Sequence, residues 1–164
     1  MSLKSTAFAA LTAVSLAVPA LAQQIAIDAP YARSASPAAK TGAAFMVIRN
    51  TGDTDDRLIG ASSPAAKMVQ LHTHREEDGV MRMLHVAEGF ALPAGGEIVM
   101  ARGGHHVMFM GLTAPFEQGK TVPLTLVFET AGERVIEVPV DLDRKPGMGH
   151  GQGHGQSHGQ SQDG

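Results

Sequence analysis

Between residues 68 and 74 the side chains alternate: Val69 and Leu71 share one face, and Met68, Gln70, His72 and His74 share the other. A period of two predicts a half-buried strand. Residues 80–86 alternate in the same way, with Val80, Arg82, Leu84 and Val86 on one side and Met81, Met83 and His85 on the other. The intervening Arg75-Glu76-Glu77-Asp78-Gly79 is acidic and ends in Asp-Gly, a pair that tolerates positive φ, so a hairpin is expected. A register pairing His74 with Met81 also pairs His72 with Met83. Opposed Cβ atoms in such a ladder lie about 4.5–5.5 Å apart, which would let an imidazole and a thioether reach one ion.

Similar patterning continues on both sides of the hairpin. Ile25, Ile27 and Tyr31 predict a first strand, broken by Pro30. Residues 43–50 are apolar on both faces and predict a central strand, closed by the turn Asn50-Thr51-Gly52-Asp53. Residues 57–61 form another short strand, ended by Ser62-Ser63-Pro64. After the hairpin, Leu92-Pro93-Ala94-Gly95-Gly96 turns into a strand over 97–101, and Arg102-Gly103-Gly104 turns into His105-His106-Val107-Met108-Phe109-Met110. In that run His106, Met108 and Met110 point one way and His105, Val107 and Phe109 the other. Strands over 122–129 and 134–140 complete the pattern, and no segment shows a long helical period. Seven or more short strands at this spacing predict an all-β fold, an antiparallel β-sandwich with Greek-key connections.

The two ends depart from this pattern. Lys4 is followed by a largely apolar stretch over residues 7–17 and then by Val18-Pro19-Ala20-Leu21-Ala22, so residues 1–22 are expected to be a signal peptide cleaved after Ala22. The apolar run is too short to span a bilayer, and no membrane insertion is expected after cleavage. The folded domain is expected over 23–143. Residues 144–164 are mostly Gly, Gln, Ser and His, a composition that predicts a flexible tail.

Composition narrows the chemistry. The chain has no cysteine, which excludes a disulfide framework, a thiolate zinc site and a blue-copper electron carrier. Its net charge of −3, about −4 without Lys4, argues against nucleic acid or an anionic membrane surface as a partner. What remains is a set of imidazoles and thioethers on strand faces, and copper(I) is the ion this mixture suits. His74 and Met81 form a second candidate pair beside His72 and Met83. In the tail, His150, His154 and His158 recur every fourth residue and, with Met148, fit a second site able to hold Cu(II).

The combination of His72, ten residues, Met83, then His106-Val107-Met108 stands beside several further motifs. These are Lys40-Thr41-Gly42-Ala43-Ala44-Phe45, Asp55-Asp56-Arg57-Leu58, Pro93-Ala94-Gly95-Gly96 and Met108-Phe109-Met110-Gly111-Leu112. Together they resemble the PCu(A)C family of periplasmic copper chaperones over nearly all of residues 25–140. The resemblance implies a cupredoxin-like β-sandwich and a Cu(I) site made by His72, Met83, His106 and Met108. Twenty-two residues separate Met83 from His106, one more than the family commonly has. A bulge near His85-Val86-Ala87-Glu88 would absorb the extra residue, and the strand pleat places His106, not His105, on one face with Met108.

No group is evidently placed for acid-base or nucleophilic chemistry, so a carrier rather than an enzyme is expected. A His₂Met₂ set leaves a site with only the ion's own charge and favours Cu(I) over Cu(II) and Zn(II). The resemblance implies a periplasmic chaperone that passes copper to a cytochrome c oxidase subunit, or to another copper chaperone, during assembly of the oxidase copper centre. A periplasmic copper storage or detoxification protein would use the same ligands.

Overall fold

The computed structural model describes residues 24–145. The leader expected over 1–22, and with it the tail histidines His150, His154, His158 and Met148, lie outside the described residues. Ten strands make up the rest: β1 (Ile25–Ser34), β2 (Thr41–Asn50), β3 (Asp56–Ser62), β4 (Ala66–Glu77), β5 (Val80–His85), β6 (Phe90–Leu92), β7 (Glu97–Met100), β8 (His106–Leu112), β9 (Thr121–Phe128) and β10 (Gly132–Pro139).

They form two antiparallel sheets. The larger has the order β1-β2-β8-β4-β5, with β7 also paired to β2, and the smaller has the order β10-β9-β3-β6. The chain crosses between sheets five times, at β2 to β3, β3 to β4, β5 to β6, β6 to β7 and β8 to β9. The core fills the space between them. Met46, Ile48, Leu71, Val107 and Phe109 enter from the larger sheet, and Leu58, Leu92, Leu124, Leu126 and Val138 from the smaller. Each fully buried side chain of this size contributes about 1.5–3 kcal/mol through removal of apolar surface from water.

The polar groups that shape the edges are built into the turns. Asn50, buried at the end of β2, donates from Nδ2 to the carbonyls of Thr54 (2.7 Å) and Leu92 (3.3 Å) and accepts from the Gly52 N–H (3.0 Å). Asp56 accepts from the backbone N–H groups of Arg57, Thr130 and Ala131 at 2.7, 2.8 and 2.9 Å, tying β3 to the β9–β10 turn. Gly42 leaves room for Phe116, whose ring a Cβ at that position would strike.

Four details differ from the sequence expectation. Pro30 does not break the first strand: β1 continues through a register shift between Asp28 and Tyr31, with Ala29 at φ 46°, so the missing N–H falls where no ladder bond is needed. The short strand β6 was not expected, because three residues cannot display an alternation. No bulge appears near His85, since β5 ends there and is followed by a turn closed by a Gly89 N–H to Val86 carbonyl bond of 3.1 Å. The largest difference is the hairpin register. Its loop is only Asp78-Gly79, at φ 53° and 76°, so Glu77 pairs with Val80, His74 with Met83 and His72 with His85. The expected pairings of His74 with Met81 and His72 with Met83 are both displaced by two residues.

Candidate metal centre

His106 is the buried centre of a polar cluster on the outer face of the larger sheet. The pleat of β8 sends Val107 and Phe109 into the core and turns His106, Met108 and Met110 outward, yet His106 is only 3% exposed. Its neighbours cover it: Phe45 on one side, with ring centroids 6.1 Å apart, and His74 and His72 on the other, at 5.2 and 5.8 Å. His106 Nδ1 lies 3.0 Å from the Gly104 carbonyl. A carbonyl only accepts, so Nδ1 carries the proton and Nε2 keeps its lone pair, the tautomer of a metal-ligating histidine with an orienting partner.

Strand β4 presents the other two imidazoles. His72 faces His106 across the β4–β8 ladder and His85 across the β4–β5 ladder. Its Nε2 is 3.0 Å from Gln70 Oε1, which leaves Nδ1 as the free nitrogen. That Nδ1, and the Nδ1 of His74, are buried with no hydrogen-bond partner. Burying a ring nitrogen without a partner costs about 1–3 kcal/mol, so two such atoms on rings that both flank His106 fit a site able to receive an ion.

Beside these rings lies a cavity of about 310 Å³, lined by His74, Met83, His106 and Met108 together with Ala43, Phe45, Arg102 and Gly103. It forms where β2 changes partner, pairing with β8 through Ala44 and with β7 from Met46 onward. The turn between β7 and β8 folds over this junction. It is held by a Gly104 N–H to Ala101 carbonyl bond of 3.0 Å and by the His74 N–H on the Gly104 carbonyl at 3.3 Å.

The predicted residues therefore separate into groups. Met83, His106 and Met108 converge on the cavity. His72 stands next to His106, and Met83 and Met108 are its diagonal neighbours in the two ladders, a separation of about 7–8 Å that long side chains span. His74 lines the cavity directly. Met81 opposes Glu76, is 56% exposed and joins neither His74 nor the cavity. His105 lies on the opposite face, its Nδ1 3.0 Å from Thr73 Oγ1 and its ring 4.3 Å from that of Phe90. Sequence reasoning missed Phe45 and Arg102 as cavity residues. It also missed the place of His74 opposite Met83, which a two-residue Asp-Gly loop, counted backwards, gives directly.

Burial favours the neutral form of His72 and His106. Burial lowers the pKa of His72, and the neighbouring His106, His85 and His74 lower it further. Burial also lowers that of His106, against the opposing effect of its bond to the Gly104 carbonyl. Neutral imidazoles are the form that binds metal. Among the described residues no three His, Asp or Glu side chains are grouped to hold an ion by themselves. An ion here would draw on the thioethers of Met83 and Met108, which selects for soft Cu(I).

Residues 25–140 match the family model described as "Putative lipoprotein LpqE-like". The chain belongs to this LpqE-like family. A curated relative, "Putative lipoprotein Lxx21020" of Leifsonia xyli subsp. xyli (strain CTCB07), is 40% identical over 98 residues, which is 60% of this chain and 59% of that protein. Among solved structures, the copper-bound PCuAC domain from PmoF2 superposes with a TM-score of 0.60 at 29% identity, covering 73% of this chain and 93% of that one. The apo form of DR1885 from Deinococcus radiodurans superposes with a TM-score of 0.58 at 26% identity, covering 87% and 96%. Its CuI form superposes at 0.56 and 29%, covering 76% and 84%. The LpqE-like chain thus shares its all-β sandwich with PCuAC copper-binding domains.

Proposed function

We propose that this LpqE-like protein is a periplasmic copper chaperone, exported through a leader cleaved after Ala22, that carries Cu(I) and does no catalysis. The observation that supports this most directly is the convergence on one cavity of two thioethers, Met83 and Met108, and two imidazoles, His74 with an unpartnered Nδ1 and His106, in a fold whose neighbours include copper-bound and CuI structures. The word lipoprotein in the names of the family and of its curated relative fits an exported protein, although these 164 residues contain no cysteine to carry a lipid.

His72, Met83, His106 and Met108 are the proposed ligands. His106 offers Nε2 and His72 offers Nδ1, while Met83 and Met108 approach from β5 and β8. A second reading exchanges His72 for His74. It is favoured by the position of His74 on the cavity wall, directly across from Met83. Met148, His150, His154 and His158 are proposed as a second site for Cu(II).

A site of neutral donors gives up its ion by ligand exchange to a stronger, thiolate-bearing site. The proposed acceptor is a copper-binding subunit of cytochrome c oxidase or a further copper chaperone. Anaerobic mixing of the Cu(I)-loaded protein with an apo acceptor bearing a dithiolate site tests this. Transfer faster than the spontaneous loss of copper to a chelator supports a chaperone, whereas retention of copper against the acceptor marks a storage protein instead.

A further inference from the structure

Methionine ordinarily fills gaps in a core, and Met46 and Met100 do so here. Among the described residues the other five, Met68, Met81, Met83, Met108 and Met110, stand on the outer face of the larger sheet, which also carries the imidazoles. Met68 and Met110 are directly opposed in the β4–β8 ladder. They lie two residues further along each strand than the opposed Gln70 and Met108, and four further than His72 and His106. Exposure rises along this line, from buried His106 through half-buried Met108 and Met110 to Met68, which is 52% exposed. Gly111, at φ 67°, ends the exposed face, and Leu112 after it is buried in the core. A pair of thioethers thus sits at the open end of the row that begins at the metal cavity.

We propose that Met68, Met108 and Met110 form a second, weaker Cu(I) site, from which the ion leaves for its acceptor. This rests on the reading of the cavity as the copper site, because Met108 belongs to both: it lines the cavity and is the outward-facing residue before Met110 on β8. Opposed Cβ atoms lie about 4.5–5.5 Å apart, and diagonal or same-strand neighbours on one face about 7–8 Å, so three long, flexible thioethers can converge on one ion. The set offers only soft, uncharged donors, which suits Cu(I) and disfavours Cu(II) and Zn(II). Passage from the cavity exchanges the Cu–N bonds to the imidazoles and the Cu–S bond to Met83 for Cu–S bonds to Met68 and Met110, while the Cu–S bond to Met108 is kept. Copper stays Cu(I), and with neutral imidazoles as the leaving donors no proton moves. At exposed Met68 the ion is open to attack by an acceptor thiolate, which it is not beside buried His106.

The test is an anaerobic Cu(I) titration of the chain from Gln23 to Gly164 carrying ¹³C-methyl methionine, read by NMR, beside the same chain carrying both Met68→Leu and Met110→Leu. Leucine keeps the volume and apolar character of the side chain and removes only the sulfur donor, so the fold and any apolar contact with an acceptor are retained. Over the first equivalent the Met83 and Met108 methyl signals are expected to shift, and over the second those of Met68 and Met110. The double variant should keep its affinity for the first Cu(I) but pass it to a dithiolate acceptor about tenfold more slowly, having lost donors held at high local concentration. Met68 and Met110 signals that stay still through two equivalents overturn the second site and leave the cavity reading standing. Transfer from the double variant at the unaltered rate overturns the exit. Shifts of Met68 and Met110 that appear only at high protein concentration assign them to contact with a second copy and overturn it too. If Met83 and Met108 stay still over the first equivalent, the cavity reading fails and this inference fails with it.

Discussion

His72 faces His106 directly across the β4–β8 ladder, with the two rings 5.8 Å apart, while His74 faces Met83 across the β4–β5 ladder. In the proposed ligand set the two β4 imidazoles are alternatives for one place. If His72 is the ligand, His72→Ala should weaken Cu(I) binding about a hundredfold and His74→Ala about threefold, since each tenfold corresponds to about 1.4 kcal/mol. A chelator competition on both variants decides the matter, and the reverse order assigns the place to His74.

The pH dependence of the copper-free domain follows from one buried imidazole, His106, and two half-buried ones, His72 and His105. Burial lowers the pKa of His72, His105 and His106 below the 6.5 of an ordinary imidazole. Below that value the unfolded chain binds protons that the folded one does not. Their contribution to stability is present above pH 6.5 and is lost as pH falls through the lower folded-state values. Urea midpoints should fall between pH 7 and pH 5, and a flat profile would contradict this burial. Copper affinity should weaken over the same window, because protons compete with the metal for the imidazoles.

Asp56 tests the link between the sheets' edges and the fold. Burial raises its carboxyl pKa, but the hydrogen bonds from Thr130, Arg57 and Ala131 outweigh this and hold it below the ordinary value. Asp56→Ala leaves those three N–H groups without their acceptor. It should lower stability by about 1–3 kcal/mol, seen as a drop in the thermal midpoint of several degrees. Copper binding by the folded variant should be unchanged, since Asp56 lies on the smaller sheet and away from the cavity.

Much of this arrangement was legible in the chain. The alternation in residues 68–74 and 105–110 gave the faces of β4 and β8 correctly, because a strand whose other side packs on a core has no freedom to slip by one residue. The fold class followed from the spacing of turn residues. The hairpin register did not, because the acidic segment was read as a five-residue connection when only Asp78-Gly79 turns and Arg75, Glu76 and Glu77 extend the strand. Slipping by two keeps every side chain on its own face, so the hydrophobic pattern could not reveal the error. Arg102 and Phe45 were invisible as cavity residues for a different reason: their positions depend on where β2 exchanges β8 for β7, a tertiary event with no local signature.

The most direct test of the metal centre is an anaerobic Cu(I) titration of the domain ending at Arg144, against a chromophoric chelator, beside the same domain carrying Met83→Leu. One tightly bound Cu(I) per chain is expected, with binding weakened about a hundredfold in the variant, or about 2.7 kcal/mol. Absence of tight copper from the domain without its tail would contradict the account.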